Sequence, residues 1–165
     1  MTLVQLAANY PSELVDAVVS SLCTFDDDGW IDAGITRWID PRRVLALPCN
    51  QFRLDRTRRQ LANDDVAPPI DVVGYRLGKG AAIYGLEDGA HRTAAAREAG
   101  RKVKALIKGY YQLQPQTLVL YRGFLWRPCP PPQPECSECW QQVADVSADM
   151  LPLLQALGVR ERMSR

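Results

Sequence analysis

The chain has 165 residues, of which 47% are hydrophobic and 24% charged, and carries a formal net charge of +1. That length and balance describe one globular domain able to bury a real core, and the near-zero charge gives no global case for nucleic-acid or membrane binding. No apolar run approaches the roughly eighteen residues of a membrane span, and the N-terminal residues lack the basic start and apolar centre of a secretory signal, so the expected location is the cytoplasm. Five cysteines, with Cys129, Cys136 and Cys139 close together, fit reduced thiols or a metal better than a secreted disulfide framework.

Charge is placed unevenly. Residues 1–36 hold six acids (Glu13, Asp16, Asp26, Asp27, Asp28, Asp32) and no Lys or Arg, whereas residues 37–59 hold seven arginines (Arg37, Arg42, Arg43, Arg53, Arg56, Arg58, Arg59) against Asp40 and Asp55. Either these segments face each other as solvated surface, or the arginines form a face that meets phosphates.

Leu14, Val15, Val18, Val19 and Leu22 share one helical face and predict a helix from Pro11 to Cys23, with the proline in its first turn. Asp26-Asp27-Asp28-Gly29 then reads as a polar turn, since it lacks the ligand spacing of a calcium loop. Trp38-Ile39 and Val44–Leu47 read as short extended pieces punctuated by Pro41 and Pro48. An Arg-rich helix over Arg53–Leu61 precedes Pro68-Pro69. Strands over Ile70–Val73 and Ala82–Leu86, joined by a Gly78-Lys79-Gly80 turn, predict a hairpin.

The next stretch, Glu87-Asp88-Gly89-Ala90-His91-Arg92-Thr93, followed by Ala94–Ala96 and Ala99-Gly100, contains the sole histidine. An Asp-Gly turn runs directly into an alanine-rich helix that Gly100 closes, and Val103–Ile107 follows as a strand. First-turn amides lack intrahelical acceptors, so a helix start bearing His91 and Arg92 suits phosphate oxygens.

These residues resemble the ParB/sulfiredoxin superfamily. The resemblance rests on Pro69-Ile70, Val72-Val73, Tyr84, Asp88-Gly89-Ala90-His91-Arg92, Ala95-Ala96, Ala99-Gly100 and Val103. Upstream, Ile39-Asp40-Pro41, Val44, Pro48, Asn50, Gln51 and Arg53 are similar to its opening strand and the Pro-Asn…Gln-Pro-Arg box of ParB-type members. It implies an α/β (α+β) fold with a small mixed sheet over residues 35–110; outside the resemblance, the residues themselves read as a helical extension at 1–34 and a helical extension with a Pro- and Cys-rich connector at 111–165.

It also implies a nucleotide site for ATP or another NTP with Mg²⁺. Gly89 would allow close backbone approach, His91 and Arg92 would hold phosphate oxygens, and Thr93 would cap the helix or touch phosphate or metal. Gln51 and Arg53 join the same pocket. Asp88 either serves catalysis, through metal or substrate, or only shapes the turn. Sulfiredoxins place a cysteine where this chain has Ala90, which removes their sulfinic-acid chemistry. Partition proteins usually carry arginine at the position of His91 and need a helix-turn-helix that the proline-broken residues after Ile107 do not offer. The motif is nearest to free-serine-kinase-like members, whose upstream catalytic glutamate has no counterpart beside Asn50 and Gln51.

Tyr110, Tyr111, Leu118–Tyr121 and Phe124–Trp126 form an aromatic, partly extended stretch suited to core or a homodimer surface. A polyproline-like connector over Pro128–Pro134 leads to Cys136-Ser137-Glu138-Cys139. With Cys129 this pair supplies three zinc ligands, a redox pair, or plain thiols. Trp140–Val146 and Asp149–Leu157 read as two short helices.

The leading functional expectation is an ATP-dependent phosphotransferase or NTPase acting on a small-molecule or protein substrate. The second is a non-catalytic nucleotide-sensing or DNA-associated module of a phage or mobile element. The third, a nuclease, would need metal-binding carboxylates assembled from Asp88, Glu87 and Asp40.

Overall fold

Two four-stranded mixed sheets and five α-helices make up the α+β fold of the computed structural model, which describes residues 1–23, 29–62, 67–129 and 139–162. Helix α1 (Leu3–Asn9) starts at Thr2, whose hydroxyl accepts the Gln5 amide while the Gln5 side chain accepts the Thr2 amide. This reciprocal capping is the sequence signal for a helix that the hydrophobic periodicity, which begins at Pro11, passes over. Helix α2 (Ser12–Leu22) follows and buries Val15, Val18, Val19 and Leu22 of the predicted stripe, with Leu14 partly buried at its edge. Asp26–Asp28 of the expected turn lie outside the described residues.

Strand β1 (Trp30–Ile39) is far longer than the Trp38-Ile39 piece expected, and it begins before position 35, where the sequence pattern starts the core. Its length comes from an antiparallel partner remote in sequence: β1 runs beside Val103–Leu113 from Trp30↔Tyr111 to Ile39↔Val103. The segment Val44–Leu47 is the short packed piece expected between Pro41 and Pro48, with Val44 and Leu45 buried, rather than a full strand. It forms one parallel bridge, Val44↔Tyr84, and the Leu45 amide donates to the Tyr84 carbonyl at 2.8 Å. Helix α3 (Gln51–Ala62), β2 (Ile70–Leu77), β3 (Ile83–Asp88), α4 (Ala90–Glu98) and β4 (Val103–Leu113) complete the first sheet unit, ordered β1-β4-β2-β3, with the β2–β3 hairpin as expected. Gly100 adopts φ +64° and closes α4, as the helix-stop reading requires.

The sheet is covered on both faces. On one, Ala95 and Ala96 of α4 are buried and Ala96 packs among Ile70, Val72, Tyr84, Ala105 and Ile107. On the other, α1 and α2 share a core with Ile83 and Leu113. Here glycines make room for aromatic rings: Tyr75 lies over Gly85, where a Cβ would sit 3.1 Å from its ring. Trp30, Tyr111 and Tyr75 form a continuous row across the sheet, with centroids 4.8 Å and then 6.0 Å apart.

The C-terminal extension is not chiefly helical. It builds the second sheet from β5 (Val119–Tyr121), β6 (Phe124–Pro128) and β7 (Trp140–Asp145), with one helix α5 (Leu151–Ala156) and a two-residue β8 (Arg160–Glu161), in the order β7-β6-β5-β8. The Trp140–Val146 helix expected from sequence is therefore a strand. β6 presents an open edge of backbone donors and acceptors, and β7 satisfies it from Phe124↔Asp145 to Pro128↔Trp140, a pairing that outweighs weak local helix preference. A two-residue turn, Arg122-Gly123, joins β5 to β6 with positive φ at both positions, 52° and 80°. Leu118, Leu120, Leu125, Leu153 and Leu154 join the core that holds Leu3 and Leu6, so both extensions pack into one interior.

Candidate functional site

The junction of β3 and α4 brings together Asp88, Gly89, His91, Arg92 and Thr93. Gly89 is left-handed at φ +103°, and a Cβ there would lie 2.8 Å from the Ile70 Cβ. The need for glycine is thus met inside the fold, by the turn and by the approach of Ile70, before any ligand is considered. Gly89 offers no side-chain cap, and the amides of Ala90, His91 and Arg92 have no acceptor among the described residues. Thr93 is buried, and its hydroxyl donates to the Gly89 carbonyl at 3.0 Å, which turns it into the helix rather than toward solvent.

Arg92 braces the turn. Its guanidinium donates to the carbonyls of Pro68 and Pro69 and, at 3.2 Å, to Asp88 Oδ2. A guanidinium carries five N–H donors, so these three contacts leave two unused. The Asp88 side chain is 76% exposed, making it the loosest of the Arg92 partners.

Helix α3 approaches the same point. The Asn50 amide donates to His91 Nε2 at 3.0 Å, which in the neutral ring leaves the proton on Nδ1. Asn50 Oδ1 accepts the Arg53 amide at 3.2 Å and so caps α3. The start of α3 is thereby tied to the first turn of α4, and two helix N-termini, each with partial positive charge, converge. Farther along, Arg58 clamps Glu98 through Nε and Nη2, both at 2.7 Å, and the pairing holds the Glu98 carboxyl below its usual range. Arg97 of α4 donates to the Pro41 and Val44 carbonyls at 2.9 and 2.8 Å, fixing the loop before α3.

The remaining expected residues divide. Gln51 donates to Asp55 at 3.3 Å along its own helix, and the exposed Arg53 guanidinium has no partner among the described residues. The carboxylates considered for a nuclease are each held by a separate cation: Asp40 by Arg42 at 2.8 Å, Glu87 by Lys108, and Asp88 by Arg92. Among the described residues no three His, Cys, Asp or Glu side chains converge for a metal. Cys129 and Cys139 bring their sulfurs to 2.6 Å where β6 ends and β7 begins, and Cys136 lies outside the described residues. No described helix is long and apolar enough to cross a membrane.

Asn50, Pro68 and Pro69 are the contributors that sequence reasoning placed near the site without giving them a role. Asn50 was legible as an N-cap three residues before Arg53, but its amide bond to His91 spans 41 residues and has no local signal. No protein-family model and no curated protein sequence matches the chain.

Proposed function

We propose that the chain is a nucleotide-binding protein whose α4 start grips the terminal phosphates of ATP or another NTP, and that it acts as a phosphotransferase or NTPase. The carrying observation is the convergence of the α3 and α4 N-termini at the Asn50–His91 contact, beside uncapped amides of Ala90, His91 and Arg92. The resemblance of Asp88-Gly89-Ala90-His91-Arg92 to ParB/sulfiredoxin motifs points the same way.

In this reading the amides and the two unused Arg92 donors take phosphate oxygens, and His91 presents Nδ1–H. Phosphate competes with Asp88 for the guanidinium. Asp88 would be the carboxylate that holds Mg²⁺, and the ion would supply charge neutralisation at the phosphates. Gly89 and Thr93 shape the turn, and Arg53, in the first turn of α3 where its amide donates to Asn50 Oδ1, would approach the phosphates from that helix.

A thermal-shift panel of ATP, ADP, CTP and GTP with magnesium tests the reading, because a ligand that binds only the folded state raises its stability. At least one triphosphate is expected to raise Tm. Arg92→Ala should weaken its binding by roughly 1.5–3 kcal/mol, as for a lost charge-assisted contact. Titration calorimetry giving equal affinity for both proteins, or no shift with any nucleotide, overturns the assignment.

A second reading rests on α3. Arg53 and Arg56 are exposed with no acidic partner among the described residues, and Phe52 beside them is 75% exposed. A cationic, aromatic helix face suits a nucleic-acid backbone and bases. Anisotropy of a labelled duplex should then fall steeply with salt and vanish in Arg53→Glu/Arg56→Glu; no binding at low salt dismisses it.

A further inference from the structure

A cleft of ≈ 410 Å³ opens on the sheet face opposite α4, between α2, the loop at Leu45–Pro48 and strands β2, β3 and β4. Its size falls in the ordinary range of small-molecule sites. Its rim is built, because the Ala46 amide donates to Ser12 Oγ at 2.9 Å and fastens the loop to the start of α2.

The lining has a definite chemistry. Tyr75 and Tyr111, stacked with planes 16° apart, supply aromatic surface, while Leu47 and Pro48 supply an apolar end. Three carboxylates line it: Glu13 and Asp16 from successive turns of α2, and Glu87 from β3. No Lys or Arg is among the lining residues. Glu87 is paired with Lys108, but Glu13 and Asp16 have no hydrogen-bond or ion-pair partner among the described residues. The cleft therefore carries uncompensated negative charge over tyrosine rings.

That combination selects a ligand class. A nucleotide phosphate is repelled. Glu13, Asp16 and Glu87 do not come close enough together to hold a bare metal ion, since no three His, Cys, Asp or Glu side chains converge among the described residues. An organic ammonium satisfies both walls at once, since its charge pairs with the carboxylates and lies against ring faces, while its carbon chain covers the apolar end.

We propose that this cleft is a binding site for a small organic cation bearing a primary ammonium group. The site is separate from the α4 start, and its occupancy requires no nucleotide.

Putrescine is the probe and butanediol its uncharged counterpart, each titrated into the ¹⁵N-labelled full chain without nucleotide. Putrescine is expected to give saturating shifts at Asp16, Tyr75, Glu87 and Tyr111, while butanediol gives none. Glu13→Gln/Asp16→Asn alters only exposed side chains, so it should keep the wild-type melting curve and weaken putrescine by about tenfold or more, the scale of a lost charge-assisted contact. Lys108→Met uncovers Glu87 and should tighten binding, an effect a merely structural role does not produce. Failure to saturate, equal response to butanediol, unchanged affinity in the double variant, or weaker binding in Lys108→Met overturns the proposal.

Discussion

His91 Nε2 accepts the Asn50 amide at 3.0 Å, so the imidazole joins two helices that have no covalent reason to meet. His91→Phe keeps a flat ring but removes the acceptor. It should cost about 0.5–1.5 kcal/mol, the net worth of one hydrogen bond. Amide exchange at Asn50 should quicken while exchange in β2 and β4 stays slow; unchanged exchange at Asn50 contradicts the tie.

Two left-handed glycines flank α4 and make different predictions. At Gly100 a Cβ meets nothing within 4 Å, so Gly100→Ala pays only the backbone term, roughly 1–2 kcal/mol. At Gly89 the same methyl also strikes Ile70, and overpacking brings the cost to about 2–5 kcal/mol. Chemical denaturation should rank the variants in that order, and equal losses would show that Ile70 simply moves aside.

Cys129 and Cys139 lie sulfur to sulfur at 2.6 Å, and the Cys129 amide also donates to the Cys139 carbonyl at 2.9 Å. Treatment with diamide should convert these two thiols to a disulfide, with loss of two hydrogens in mass. Peptide mapping that pairs Cys129 with Cys136 instead contradicts the strand register. Cys23 should stay unreacted with alkylating reagents in the native protein, because burial, aided by the charge of Asp16, pushes its thiol up to about 12.

Asp40 and Glu98 set an acid limit. Hydrogen bonds from Arg42 and Arg58 hold their carboxyls below the usual range, so both bind protons more weakly folded than unfolded. Their contribution is present above the unfolded carboxylate values, about 3.9 and 4.3, and is lost as pH falls through the lower folded values. Melting temperature should drop on acidification, and its difference from Asp40→Asn/Glu98→Gln should be largest near neutrality and shrink below about pH 4. A difference independent of pH would mean that the side chains act by packing alone.

Much of the first sheet was legible because its signals are local. Short apolar, β-branched-rich runs on either side of the Gly78-Lys79-Gly80 turn mark β2 and β3, and Asp88-Gly89 before alanines marks the start of α4. What escaped depends on distant pairing. β1 extends to Trp30 because Tyr111 and Tyr110 wait opposite, and β7 is a strand because β6 has an edge to fill. Thr2 and Gln5 did announce α1, in a pattern shorter than a hydrophobic stripe. The cleft was invisible for a related reason: Asp16, Tyr75 and Tyr111 share a wall but no neighbourhood in sequence.

The shared interior of Leu3 and Leu6 with Leu153 and Val159 also sets a schedule for the ribosome. Synthesis at about 5–20 residues per second separates the making of these segments by roughly 7–30 s. Throughout that interval the apolar stripes of α1 and α2 have been translated, while the C-terminal share of their interior, Met150 to Val159, has not. The nascent chain therefore presents its N-terminal helices as a greasy surface before it can close over them, and this is the stage at which a chaperone has something to hold.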